Sequence, residues 1–292
     1  MKTTLIAWLF DLAAWLPLRI LHRLGSALGW LTYLLSDKYA ERLRENLKHA
    51  HPGIHEAEFQ KLLRTNAEEM GKIICEMPWI WRRPLDEVSR SVRAVHGLDH
   101  LTEALKRGRG VIVLTPHLGS FELVGQYLAA QMPMTSMYRV PKLTWLDGVI
   151  RGGRGRGQMR LARADVGGVR TMFKALKRGE TIGLLPDQVP GNGEGEWALF
   201  FGRPAYTMTL VGRLAEASGA TILLSYGERL PQGAGYIIHF SPLEFVPGVP
   251  VTRQLNAALE EVIRACPTQY LWSYNRYKTP AGALPPDAVG ER

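Results

Sequence analysis

Residues 110–122 read Gly-Val-Ile-Val-Leu-Thr-Pro-His-Leu-Gly-Ser-Phe-Glu. The first half is short and almost uniformly apolar, with β-branched side chains, as in a strand buried on both faces. Pro116 stops that strand, Gly119 offers a turn, and Ser120 can cap a helix starting at Phe121. A buried strand running through a tight turn into a helix is the building unit of an α/β fold.

The same alternation extends outward. From Lys38 to Arg83 the spacing of Leu and Ile predicts helix. Strands are predicted at 134–138, 158–164, 181–185, 220–226 and 236–241. Helices are predicted at 121–130, 168–177, 206–217 and 251–265, with Gly179 and Gly219 as stops. The expected fold class is α/β, a central mixed and largely parallel sheet flanked by helices. Residues 37–280 contain no repeat and no long linker and read as a single domain; 281–292 read as a loose tail. Ligands of such sheets sit beyond the carboxyl ends of the strands, so chemistry is expected there.

Composition narrows the function. With 46% hydrophobic and 22% charged residues over 292 positions, wholesale disorder is excluded. The formal charge of +9 favours anionic partners such as phosphorylated lipids, an anionic membrane face or an acidic carrier protein. Nucleic acid is not expected, because basic and aromatic residues are not interleaved on one face. Cys75 and Cys266 are far apart, so neither a disulfide framework nor a zinc site is implied. The histidines at 49, 51, 55, 96, 100 and 239 show no metal-type spacing, and no cofactor is expected.

Residues 1–36 form a separate hydrophobic segment, rich in Leu, Trp and Ala and interrupted by Asp11, Pro17, Arg19, His22 and Arg23. The interruptions fit two helical halves joined near Pro17. Trp8, Trp15, Trp30 and Tyr33 suit the headgroup level of a bilayer. The segment is expected to attach the chain to a membrane, either spanning it or lying in its interface. Lys38, Arg42, Arg44 and Lys48 follow at once, which keeps the body on the cytoplasmic side.

His117 and Glu122 are the first candidates for chemistry. Within one helix their spacing would set them far apart round the axis, so they meet only if His117 lies in the turn before the helix. An imidazole can deprotonate an alcohol near neutral pH when a carboxylate on its other nitrogen fixes the tautomer. The alternative is a solvent-facing histidine and a first-turn glutamate favoured by the helix dipole. No Ser or Cys nucleophile is evident, so the acceptor hydroxyl would attack a thioester directly, with donors such as an arginine stabilising the oxyanion. Arg154 lies in the most basic stretch, Arg151–Arg160. Asp187 and Gln188 follow the strand at 181–185. Arg203 precedes the helix predicted at 206–217, whose amino terminus could hold a phosphate. Trp79, Trp81 and Trp197 suit either an acyl groove or core packing.

Taken in order, TPHLGSFE (115–122), YRVPKLTWLD (138–147) with downstream Arg154, LLPDQ (184–188), LFFGRPAYT (199–207) and QYLWSYNRYK (269–278) resemble the bacterial lipid A biosynthesis lauroyl/myristoyl acyltransferases, a branch of the lysophospholipid acyltransferase group. The resemblance covers about residues 100–280, and the hydrophobic amino terminus also matches. It implies acyl transfer from an acyl carrier protein thioester, or acyl-CoA, to a hydroxyl of an anionic lipid acceptor, a phosphorylated glucosamine lipid. The reaction would lie at the cytoplasmic face of the inner membrane. His117 would be the base and Glu122 its orienting partner. Arg154, Asp187 and Gln188, with Arg139 and Arg203, would bind substrate or oxyanion. Ser273-Tyr274-Asn275 departs from the more basic, histidine-containing stretch of many relatives. Phosphatidylinositol mannoside acyltransferases share the His-x4-Glu spacing, so the dyad alone leaves the acceptor class open.

Overall fold

The computed structural model describes residues 2–141, 143–191 and 193–286, with side chains from residue 8. The chain begins with four helices: α1 (Lys2–Ala14), α2 (Leu18–Leu35), α3 (Asp37–Ala50) and α4 (Glu56–Arg82). Then come α5 (Leu85–Arg90), β1 (Val92–His96), α6 (Leu98–Lys106), β2 (Val111–Leu114), α7 (Phe121–Gln131) and β3 (Met134–Tyr138). They are followed by α8 (Asp147–Arg154), β4 (Met159–Arg163), α9 (Val166–Lys177), β5 (Thr181–Leu184), β6 (Gly195–Phe200) and β7 (Arg203–Met208). Last are α10 (Leu210–Ser218), β8 (Thr221–Arg229), β9 (Tyr236–Leu243) and α11 (Val251–Ala265). The expected tail is described to Pro286; residues 287–292 lie outside the described residues.

Seven strands form one sheet in the order β1-β9-β8-β2-β5-β3-β4. The block from β8 to β4 is parallel, and β8 pairs antiparallel with β9. The sheet is therefore mixed and mostly parallel, with β2 at its centre. All four residues of β2 are buried, and the side chains alternate between two cores. Ile112 and Leu114 join the larger core with Leu176, Leu224, Leu259 and Ile263; Val111 and Val113 join the other with Leu101, Val124, Leu128 and Leu223.

One predicted helix is corrected. The segment 206–217 begins as strand: 203–208 pair with 195–200 in a hairpin, and the helix starts at Leu210. Phe201 and Gly202 both have positive φ, 48° and 77°, which suits the tight turn joining twisted strands. Pairing with a partner strand overrides the local helical pattern.

α2 packs along α4 at van der Waals distance. A Cβ on Gly29 would lie 2.0 Å from the Ala67 carbonyl oxygen, and one on Gly25 2.6 Å from Lys72 Cα, so only glycine permits this approach. Beneath the pair lies a buried charged cluster. Arg229 donates to Glu76 (2.7 and 2.8 Å) and to Glu69 (2.7 Å), while His22 and Tyr236 also meet Glu76. Burial would raise the Glu76 carboxyl, but the Arg229 charge and the hydrogen bonds of Arg229 and His22 bring it down to about 2. Among the described residues no helix is long and apolar enough to cross a membrane.

Candidate active site

His117 leaves the carboxyl end of the central strand, and its turn is held from both sides. The Leu271 N–H donates to the His117 carbonyl at 3.0 Å, the Gly119 N–H to the Gln269 carbonyl at 3.0 Å, and the Ser120 N–H to the Gly227 carbonyl at 2.7 Å. Gly119 has φ +59°, and a Cβ there would come within 2.1 Å of the Gly227 carbonyl oxygen. The turn that aims His117 therefore requires glycine.

The carboxylate on the His117 ring is Asp187, just beyond the end of β5. Asp187 Oδ1 lies 2.9 Å from Nδ1, and Oδ2 accepts the His117 backbone N–H at 2.9 Å. The Gln188 amide donates to Nε2 at 3.1 Å. With Nε2 accepting, the ring proton sits on Nδ1 and points at Asp187. Asp187 is buried, which would raise its carboxyl, but the His117 charge and hydrogen bonds hold it below the ordinary range. Tyr270 lies close by: burial first, then the negative charge of Asp187, push its phenol well above the usual value. The Val189 N–H donates to the Tyr274 hydroxyl at 3.1 Å, which ties this loop to the carboxyl-terminal segment.

Glu122 is placed otherwise than the spacing suggested. Among the described residues no hydrogen bond joins it to His117. Its carboxylate is forked by Arg154, whose Nε lies 3.0 and 3.1 Å from the two oxygens and whose Nη2 also donates, and it accepts the Trp81 indole N–H at 3.1 Å. The physical reason is the position of Glu122 in the first turn of α7, where the ends of α4 and α8 converge. One turn on, Gln126 donates to the Arg154 carbonyl at 3.0 Å. Arg154 is raised above its ordinary value: burial opposes this, but Glu122 outweighs it by charge and hydrogen bonding. Nη1 of Arg154 makes no hydrogen bond to the described residues, so donors remain for an anionic oxygen.

Phe121 joins the two groups. Its ring centroid is 4.9 Å from that of His117, and it lines a small cleft of about 50 Å³ with Glu122, Gln126, Met137, Arg154, Met159 and Leu185. A larger groove, about 710 Å³, opens at the same carboxyl edge of the sheet; its floor includes Val169, Phe173 and Leu214, and its rim includes Arg139, Arg170, Lys174 and Arg213. Arg139 is thus on a basic rim, two strands from His117. Arg203 is not at a helix amino terminus. It opens β7, pairs with Glu45 at 2.9 Å and stacks on Tyr277 at 4.3 Å, a role in holding the hairpin. Trp79 is core, Trp81 serves the Glu122 cluster, and the Trp197 indole donates to the Leu284 carbonyl.

A half-buried imidazole with a buried carboxylate on Nδ1 and an amide donor on Nε2 has the arrangement general-base chemistry requires, and it lies beside an arginine-bearing cleft at the edge of an α/β sheet. The sequence carries the matching family signature: residues 2–279 fit the family model of the bacterial lipid A biosynthesis acyltransferases. The chain belongs to that family and is an acyltransferase. It is 29% identical to the lipid A biosynthesis lauroyltransferase of Escherichia coli (strain K12), over 96% of this chain and 94% of that protein. It is 30% identical to the palmitoleoyltransferase of the same organism, over 90% and 87% of the two chains. A lipid A biosynthesis acyltransferase of Haemophilus influenzae is 29% identical over 93% and 91%.

Proposed function

We propose that the chain transfers a fatty acyl group from an acyl carrier protein thioester to a hydroxyl of a phosphorylated lipid A precursor, at the cytoplasmic face of the inner membrane. His117 is the general base. Its Nε2 takes the proton of the acceptor hydroxyl as the oxygen attacks the thioester carbonyl. Asp187 keeps the proton on Nδ1 and stabilises the imidazolium that forms. Gln188 occupies Nε2 at rest and gives way to the acceptor. Glu122 and Trp81 hold Arg154 in place, with its remaining N–H groups available to the oxyanion. The imidazolium then protonates the leaving thiolate, so no covalent enzyme intermediate forms.

The observation that carries the reading is Asp187 on Nδ1, which leaves Nε2 as the accepting nitrogen, held at rest by the Gln188 amide. The basic rim at Arg139, Arg170, Lys174 and Arg213 suits acceptor phosphates or an acidic carrier. The related lauroyl- and palmitoleoyltransferases favour a long-chain donor here as well.

The test is incubation of the full chain with acyl carrier thioesters of graded length and phosphorylated glucosamine lipids, with mass spectrometry of the products. One acceptor is expected to gain one acyl mass, and His117→Ala to abolish the gain without changing the melting temperature. A fully active His117→Ala variant would overturn the mechanism.

A further inference from the structure

α2 presents three faces, about a third of a turn apart. Leu18, Leu21, His22, Gly25, Gly29 and Tyr33 are buried against the body. Leu24, Leu28, Leu31 and Leu35 point outward from one stripe and are 53, 41, 50 and 76% exposed. Arg19, Arg23 and Trp30 occupy the third face, between the other two. Such a stripe of large exposed apolar side chains exceeds what a free surface normally carries. Trp8 and Leu12 on α1, Trp15 just after it and Ile74 on α4 are exposed as well.

α2 is fixed to the body along its length, and α1 at its carboxyl-terminal end. At one end of α2, a Cβ on Gly233 would lie 2.4 Å from the Arg19 nitrogen; at the middle, Gly25 and Gly29 touch α4. At the other end Arg64 stacks on Trp30 at 5.1 Å and Arg44 on Tyr33 at 5.2 Å. α1 is held by Arg82 on Asp11 at 3.0 Å and by Arg83 on the Ala14 carbonyl at 2.7 Å. A helix bound from end to end to a polar domain cannot be threaded through a bilayer without unbinding it.

We propose that α1 and α2 lie in the plane of an anionic lipid surface, with the leucine stripe sunk into the acyl boundary. Exposed Arg19 and Arg23 sit at headgroup level, on the face of α2 next to the leucine stripe. The charge complementarity selects an anionic membrane over a second copy of this basic chain. The placement also brings the membrane to the chemistry. Phe10 stacks on Trp81 at 6.0 Å, and Trp81 donates to Glu122, so a single aromatic ring separates α1 from the Glu122–Arg154 cluster. A lipid acceptor can offer its hydroxyl from the headgroup layer.

The proposal rests on the membrane attachment above, but its test needs no turnover and fails independently of the chemistry. Single cysteines at positions 24, 28, 31 and 35, in the full chain with Cys75→Ala, are labelled with an environment-sensitive fluorophore. They are then bound to vesicles of phosphatidylethanolamine and phosphatidylglycerol that carry quenchers at known depths. All four labels are expected at one shallow depth. A steady gradient in depth from 24 to 35 would mean a spanning helix and overturn the proposal, as would labels shielded from water yet unquenched, which would mean a covering protein copy. In the unlabelled chain, Leu28→Ser with Leu31→Ser should weaken vesicle binding about tenfold per leucine. Arg19→Gln and Arg23→Gln should each cost about fivefold on anionic vesicles and little on neutral ones. None of these should move the melting temperature, because the side chains are exposed; unchanged vesicle binding in the leucine variant would overturn the proposal.

Discussion

Replacing Asp187 by Asn separates two carboxylates that compete for the same role. Asp187 uses one oxygen for the His117 backbone N–H and the other for Nδ1, both at 2.9 Å. Asn keeps the first contact only by turning its NH2 group toward the ring. Nδ1 must then accept, the ring proton moves to Nε2, and the nitrogen facing the acceptor hydroxyl can no longer take a proton. A reversed tautomer in an otherwise intact base costs about 10³–10⁴ in kcat, or roughly 4–5.5 kcal/mol of transition-state stabilisation. Since the backbone hydrogen bond survives, the melting temperature should change little, and KM should stay near the wild-type value. The assay is steady-state transfer from a carrier-bound thioester, with kcat and KM resolved, alongside Glu122→Gln. The Glu122 variant should keep its tautomer and lose less. A kcat for Asp187→Asn within tenfold of wild type, or a larger loss in Glu122→Gln, would refute the assignment and return the orienting role to Glu122.

Glu122→Ala should destabilise the fold by about 3–5 kcal/mol, because Arg154 and the Trp81 indole lose a buried partner; a melting temperature lower by on the order of 10 °C is expected by calorimetry. Gly119→Ala should place a methyl against the Gly227 carbonyl at a positive φ, so lower stability is expected together with nearly complete loss of transfer. On acidification, Glu76 has a folded value of about 2, below its ordinary 4.5. Its stabilisation is fully present above pH 4.5 and is lost as pH falls toward 2, at a scale of about 3 kcal/mol, so Glu76→Gln should flatten that limb of a pH-resolved denaturant series.

The local pattern carried much of the architecture. Strands at 111–114, 134–138 and 181–184 and the helix at 251–265 were readable because burial on both faces, or 3.6-residue spacing, marks them in the chain itself. β1 and α6 were not read: β1 is a half-buried edge strand whose pattern is irregular. α8 was not read either, because its glycines break the helical pattern; they serve packing: a Cβ on Gly153 would lie 2.5 Å from the Trp81 ring, a contact between residues 72 positions apart in sequence.

The site divides along the same line. That His117 follows a buried strand, that Asp187 and Gln188 follow another and that Glu122 opens a helix were legible, since local chemistry marks strand ends and helix starts; Arg154, at the carboxyl end of α8, was singled out by its basic stretch and by the family resemblance. Which carboxylate meets the imidazole was decided only by the tertiary structure. Spacing along the chain favoured Glu122, but β2 and β5 are neighbours in the sheet, and their paired registers bring Asp187 to Nδ1 while α4 and α8 draw Glu122 to Arg154. A sequence states which groups are present; the strand order and the helix ends converging on α7 determine the distances between them, and hydrogen bonds depend on distance.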